Sequence, residues 1–148
     1  DRFMICLSMG YPDAESQLAI LKNVSDRDLI EKVQSVMTIE DIKQAKSYVK
    51  NMQVKDEILR YIICLCEKTR EHEHVELGIS PRGVGALAEM AKSFALCEGR
   101  TYVVLAIFPD VCAHRLILNT KARRENVTAY EILEEIAQQT EKPKLLRK

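Results

Sequence analysis

L-G-I-S-P-R-G-V-G-A-L-A-E-M-A-K-S-F-A-L-C-E-G, Leu77 to Gly99, holds both ends of a helix within one stretch. Ser80 is placed to cap it, since a serine hydroxyl accepts from the free N–H groups of a first helical turn, and Pro81 suits the first helical position, where its missing N–H would go unpaired anyway. Gly99 supplies the stop, just past the helix end, where φ is usually positive. Between them Val84, Leu87, Ala88, Ala91, Phe94 and Ala95 recur at the spacing of one helix side, so the helix has a face to bury.

Arg82 breaks this regular picture. It falls in the first turn, where the aligned peptide dipoles present partial positive charge and a cation loses up to about 1 kcal/mol relative to a carboxylate. Gly83 and Gly85 add to the cost, at roughly 0.5–1 kcal/mol each against alanine inside a helix. One account covers both features: a helix N-terminus flanked by an arginine fork and free of bulky side chains is a place an anion such as phosphate can approach. In the other account Arg82 is a solvated surface residue and the glycines allow close helix packing. Position alone does not choose between them.

The rest of the chain reads as helices. Gly10-Tyr11-Pro12-Asp13 is a turn opening a helix to about Asn23, with Ala14, Leu18 and Leu21 on its apolar side. A short helix from Ser25 is expected to face inward through Leu29, Ile30 and Val33. Thr38-Ile39-Glu40-Asp41 resembles a capping box with Asp in place of Glu, which predicts a helix from Ile39 to about Lys50 with Ile42, Ala45 and Val49 inward. Residues 55–71 form a longer helix with two adjoining apolar stripes, one of Ile58, Ile62, Leu65 and Thr69 and one of Leu59, Ile63 and Cys66, a width that implies more than one packing neighbour. A loop over 75–79 and a helix over about 110–118 are expected around the opening stretch. Thr128-Ala129-Tyr130-Glu131 is a full capping box, with Ile132, Leu133 and Ile136 as the inward side and Pro143 beyond the end.

The first residues differ in kind. Phe3 to Met9 is an apolar, strand-like run with no obvious partner strand later in the chain, so it is expected to be weakly ordered, packed on the helices, or paired with another copy.

Composition sets the limits. The 148 residues suffice for one domain with a core, and 22 basic against 22 acidic side chains give zero formal net charge, which argues against a nucleic acid or a membrane surface as partner. The five cysteines have no C-x-x-C spacing and read as reduced, packed thiols, which points to the cytoplasm. No apolar run approaches the roughly 18 residues of a membrane span. His72-Glu73-His74 could place two imidazoles near one ion, yet no further Cys or His stands at zinc-site spacing, so it reads as a polar helix exit and no metal site is assigned. His114 has no Ser or Cys placed for it to activate.

Three motifs carry a family resemblance. E-K-T-R-E-H-E-H-V-E-L-G-I-S-P-R-G-V-G-A-L at 67–87, F-A-L-C-E-G-R-T-Y-V at 94–103 and A-H-R-L-I-L at 113–118 look like the C-terminal helical lid of a MoxR-family AAA+ ATPase, and D-R-F-M-I-C-L-S-M-G-Y-P at 1–12 is similar to the end of that family's nucleotide-binding core. The resemblance implies a mainly α fold, a helical lid bundle of about five to seven helices with a short N-terminal strand-like segment. It implies residues 1–12 as the end of the core, 13–37 as connecting helices, 38–142 as the lid and 143–148 as a loose tail. Arg82 takes the position of the sensor-2 arginine that reaches ATP from the lid, with Ser80, Pro81 and Gly83 around it, and Arg2 takes that of a candidate arginine finger for a neighbouring subunit. ATP and Mg²⁺ would be the cofactors of the full-length protein, and the partners its own N-terminal ATPase core, a homo-oligomeric ring, usually a hexamer, and von Willebrand factor A domain proteins. After Val103 the chain departs from the family pattern by running straight into Leu105-Ala106-Ile107, where a few residues are expected.

No G-x-x-x-x-G-K-[ST] loop occurs, nor an apolar strand ending in paired carboxylates. Phosphoryl transfer by these residues alone would lack both its phosphate cradle and its metal site. The chain therefore reads as an ATPase lid that is inactive by itself. The alternative is a stand-alone helical interaction module, which would leave the strand-like run at Phe3 to Met9 unexplained. A helix-turn-helix DNA reader is disfavoured by the neutral charge.

Overall fold

The computed structural model describes residues 3–22, 33–99 and 106–143. Arg2, the helix expected from Ser25 as far as its Leu29 and Ile30, the junction around Val103 and the tail beyond Pro143 lie outside them, while Val33, expected on the inward face of that helix, is exposed. The chain divides into two compact units, Leu7–Tyr48 and Asp1–Cys6 together with Val49–Lys148.

The first unit contains α1 (Ala14–Lys22) and most of α2 (Ile39–Asn51). Both start where short polar side chains offer a cap. The Ser16 N–H donates to Asp13 Oδ1 at 2.7 Å. The Asp41 N–H donates to Thr38 Oγ1 at 3.1 Å, while Asp41 Oδ2 accepts from the Thr38 N–H at 2.8 Å and its hydroxyl at 2.6 Å, so the shortened capping box closes. Those hydroxyl and amide bonds hold the Asp41 carboxyl below its usual range. Neither helix buries a residue, and Ile42, expected to face inward, is 45% exposed.

The second unit is built on α3 (Asp56–Glu71), β1 (Val75–Leu77), α4 (Pro81–Cys97), α5 (Phe108–Cys112) with a single 3₁₀ turn Ala113–Arg115, β2 (Ile117–Leu118), α6 (Thr120–Glu125) and α7 (Ala129–Gln139). The seven α-helices of the described residues make the protein mainly α. Its core gathers Ile58, Ile62 and Leu65 of α3, Leu87 and Ala91 of α4, Phe108 and Val111 of α5, and Ile132, Leu133 and Ile136 of α7. Removing each large apolar side chain from water stabilises the bundle by about 1.5–3 kcal/mol. α3 is buried along the first expected stripe; on the second, Cys66 is buried but Leu59 and Ile63 are 36% and 45% exposed, and Tyr61 is buried in their place. The wide face therefore turns toward Tyr61 rather than toward Leu59.

Two expectations are corrected here. Residues 75–77 form a strand rather than a loop, and the helix expected to reach Leu118 ends at Cys112, its last residues being β2. The strands pair antiparallel, Val75 with Leu118 and Leu77 with Ile117, with a bulge between. Runs of two and three residues have no readable period, and their pairing spans some 40 positions of chain, so the signal was not local. α6 is a further addition. Asn119 Oδ1 caps its start by accepting from the Ala122 N–H at 3.1 Å, and Asn126 ends it with φ 55°.

The strand-like run at Phe3 to Met9 forms no strand. It packs on the helices at residues 3–6: Ile5 lies against the core, and the Cys6 N–H donates to Asp110 O at 3.2 Å.

Candidate functional site

α4 begins as its sequence dictates. Ser80 is extended, at φ −72° and ψ 161°, and its Oγ accepts from the Gly83 N–H at 3.2 Å, with Pro81 in the first turn. Gly99 takes the expected positive φ, 63°. Leu87, Ala91 and Ala95 are buried, and Val84, Ala88 and Phe94 pack partly buried against the core.

What holds this first turn in place was not legible from spacing. The two polar groups of Ile79 are both taken by α3: its N–H donates to Thr69 Oγ1 at 3.0 Å, and its carbonyl accepts from Arg70 Nε at 2.9 Å. Thr69 is fully buried, and its hydroxyl also donates to Cys66 O at 2.6 Å, so every polar atom there is satisfied. Gly78 passes so close to α3 that a Cβ on it would lie 2.7 Å from the Arg70 backbone N. The β1–β2 pairing brings the residues just before β2 beside the residues just after β1. Arg115 thereby reaches the first turn of α4, where a Cβ on Gly83 would lie 3.4 Å from Arg115 Cδ and 2.7 Å from Ile79 Cγ2.

These contacts separate the two glycines. Gly83 is buried and its amide is bound to Ser80, so packing accounts for it, whereas Gly85 faces open space. The first-turn donors are nearly all used as well. Pro81 has none, the Gly83 N–H goes to Ser80 Oγ, and the Val84 N–H goes to Ser80 O at 3.1 Å. The Arg82 amide is left, and with it the Arg82 guanidinium, exposed and with no hydrogen bond or ion pair among the described residues. An anion at this turn would meet one backbone donor and one arginine fork. No carboxylate stands in the turn, so it offers an anion no repulsion and Mg²⁺ no ligand.

The other candidates are occupied. His74 Nε2 lies 2.8 Å from Glu125 Oε2, His72 Nε2 lies 3.8 Å from Glu135 Oε2, and Glu73 pairs with Lys121, so the His-x-His run ties the end of α3 to α6 and α7. Among the described residues no group of three or more His, Cys, Asp or Glu side chains could hold a metal ion. Cys66 and Cys112 are buried side by side in the core; the Cys66 contact and burial push the Cys112 thiol well up, so it stays protonated. No described helix is long and apolar enough to cross a membrane.

The AAA lid domain family matches residues 67–136, a span that runs from the end of α3 to α7 and includes the start of α4. The uncharacterized protein YeaC of Bacillus subtilis is 36% identical over 140 residues, 92% of this chain and 44% of that protein. Chaperone MoxR1 of Mycobacterium tuberculosis is 25% identical over 98% of this chain and 41% of its own length. A crystal structure of a protein named as an ATPase from Cytophaga hutchinsonii superposes with a TM-score of 0.83 at 27% identity, covering 97% of this chain and 47% of that one. The chain carries a MoxR-type AAA+ lid, and spans less than half the length of each of these relatives.

Proposed function

We propose that this chain closes over ATP as the lid of a full-length MoxR-type ATPase, with Arg82 as its sensor-2 residue for the terminal phosphate. One observation carries the reading: Arg82 is an exposed cation without a partner among the described residues, held where the helix dipole disfavours it. An arginine that is to meet phosphate has to be left without a protein partner until the phosphate arrives, and among the described residues Arg82 fits that requirement. A guanidinium offers a planar pair of N–H donors to phosphate oxygens, and its attraction strengthens as the lid excludes water. Bound ATP and its Mg²⁺ supply the scissile bond and the neutralising charge, and the metal ligands come from outside this turn, which has no carboxylate. Ser80 and Pro81 fix where the helix starts, and Gly83 lets Ile79 and Arg115 pack against the turn at the residue after Arg82.

The same reading assigns residues 1–12 to the end of the core, 13–37 to the connection, 38–142 to the lid and 143–148 to a tail. It makes the chain inactive without its core, places the full-length protein in the cytoplasm as a chaperone-like ring, hexameric by resemblance, acting with von Willebrand factor A domain proteins, and leaves Arg2 as the candidate arginine finger.

The test is Arg82→Ala in the full-length protein, measured by ATP turnover and by calorimetric ATP affinity. Turnover should fall by about tenfold or more, the scale on which removal of one preorganised donor acts on developing charge. Unchanged turnover and affinity would remove the sensor-2 assignment.

A further inference from the structure

Arg115 touches two places at once. Its Nε donates to Val111 O at 2.9 Å, which anchors the guanidinium to the end of α5, and its Nη2 donates to the carbonyls of Phe3 at 2.6 Å and Met4 at 3.2 Å. Its stem runs on to the first turn of α4, with Cδ beside Gly83. The residue that follows Arg82 in the chain is thus packed against the same side chain that grips residues 3 and 4.

We propose that Arg115 is a positioning residue for Arg82, setting the first turn of α4 against the segment at residues 3–6. The inference rests on the sensor-2 reading above. Arg82 has no partner of its own among the described residues, so its direction comes from the backbone of its turn. That backbone has two supports. Thr69 and Arg70 tie Ile79 to α3, inside the bundle. Arg115 ties Gly83 to Phe3 and Met4, which resemble the end of the nucleotide-binding core. A guanidinium suits this task better than an ammonium, because its donors lie in one rigid plane and reach three carbonyls together. Displacing a positioned group by about 1 Å can cost up to a hundredfold in rate, so a contact of this kind is enough to be felt in turnover.

The experiment is a double-mutant cycle in the full-length protein, reading steady-state ATP hydrolysis for the parent, Arg82→Ala, Arg115→Met and the double variant, with a melting curve for each. Methionine keeps an unbranched stem beside Gly83 and removes the donors. Arg115→Met should lower kcat by about tenfold while KM for ATP moves by less than about twofold, and the double variant should turn over within about twofold of Arg82→Ala, since positioning an absent group does nothing. Arg115→Lys, which keeps a cation near the carbonyls, should recover part of the lost kcat. A normal kcat in Arg115→Met, or a loss that multiplies in full with that of Arg82→Ala, overturns the positioning role while leaving the sensor-2 reading intact. If Arg82→Ala alone changes nothing, that reading fails and this inference falls with it. Should Arg115→Met show no melting transition, Arg115→Lys takes its place in the cycle under the same additivity criterion.

Discussion

The starts of α4 and α7 make an instructive pair. Each is capped by a hydroxyl, Ser80 in one and Thr128 in the other, accepting from the third helical N–H at 3.2 Å. At α7 the box is closed locally: Glu131 Oε2 accepts from the Thr128 N–H at 2.7 Å and its hydroxyl at 2.8 Å, and the carboxylate sits where the helix dipole favours it. At α4 the third position is Gly83, which cannot return the bond, and the charge in the turn is Arg82, of the wrong sign. The support comes from elsewhere, through Thr69, Arg70 and Arg115. The α4 start gives up local stabilisation and is held by its neighbours, which is what the proposed role of Arg82 would need, since proteins can break local rules at sites and compensate around them.

The largest effect should come from breaking the distant support. Gly78→Ala puts a Cβ 2.7 Å from the Arg70 backbone N and 2.8 Å from its Cα, and backbone of a buried helix cannot swing aside as a side-chain end could. A loss of about 1–3 kcal/mol is expected in urea unfolding, the usual range for overpacking. A wild-type midpoint would show that α3 yields there and that the approach to α4 is not rigidly held.

The local box at α7 should respond more weakly and with pH. Thr128→Ala should cost about 0.5–2 kcal/mol at neutral pH, the range for losing a threonine cap. The Thr128 amide and hydroxyl hold the Glu131 carboxyl below its ordinary value in the folded protein. Its contribution is therefore fully present above the ordinary glutamate range and is lost as pH falls through the lower folded-state value. The gap between parent and Thr128→Ala in urea midpoint should narrow on going from pH 7 to pH 3. A gap that stays constant would mean that the charge on Glu131 adds nothing to the cap.

The same contrast governs how much could be read from the sequence. The caps of α2, α4 and α7, the stop at Gly99 and the buried face of α4 all follow from residues three or four apart, and each stands as its spacing predicts. The anomaly at Arg82 was legible too, because a cation after a cap and a proline violates a local rule. Its supports were not. Thr69 looked like one position of an apolar stripe, Gly78 like part of a loop, and Arg70 drew no reading of its own, since their roles depend on contacts across eight or more residues of chain. The β1–β2 pairing that brings Arg115 to Gly83 is two and three residues long, too short for a period. α2 shows the converse: its capping box fixes that it is a helix, yet nothing in its own residues decides whether Ile42 is covered.

The smallest expected change in stability is also the one that most sharply divides the two helix starts. Arg82→Glu gives α4 the charge that α7 already has, an acidic side chain in the first turn. The exposed side chain gives up no partner among the described residues, so the substitution should raise stability, by about 0.3–1 kcal/mol at low ionic strength, and the gain should shrink as salt screens the dipole. In the full-length protein the same change should depress ATP turnover further than Arg82→Ala, because a carboxylate repels the terminal phosphate that the guanidinium is proposed to meet. Stability and activity would then move in opposite directions at one residue, as expected where a site is kept at the expense of its helix. If Arg82→Glu instead destabilises the fold, Arg82 has a structural partner and its place in the first turn needs no phosphate to explain it.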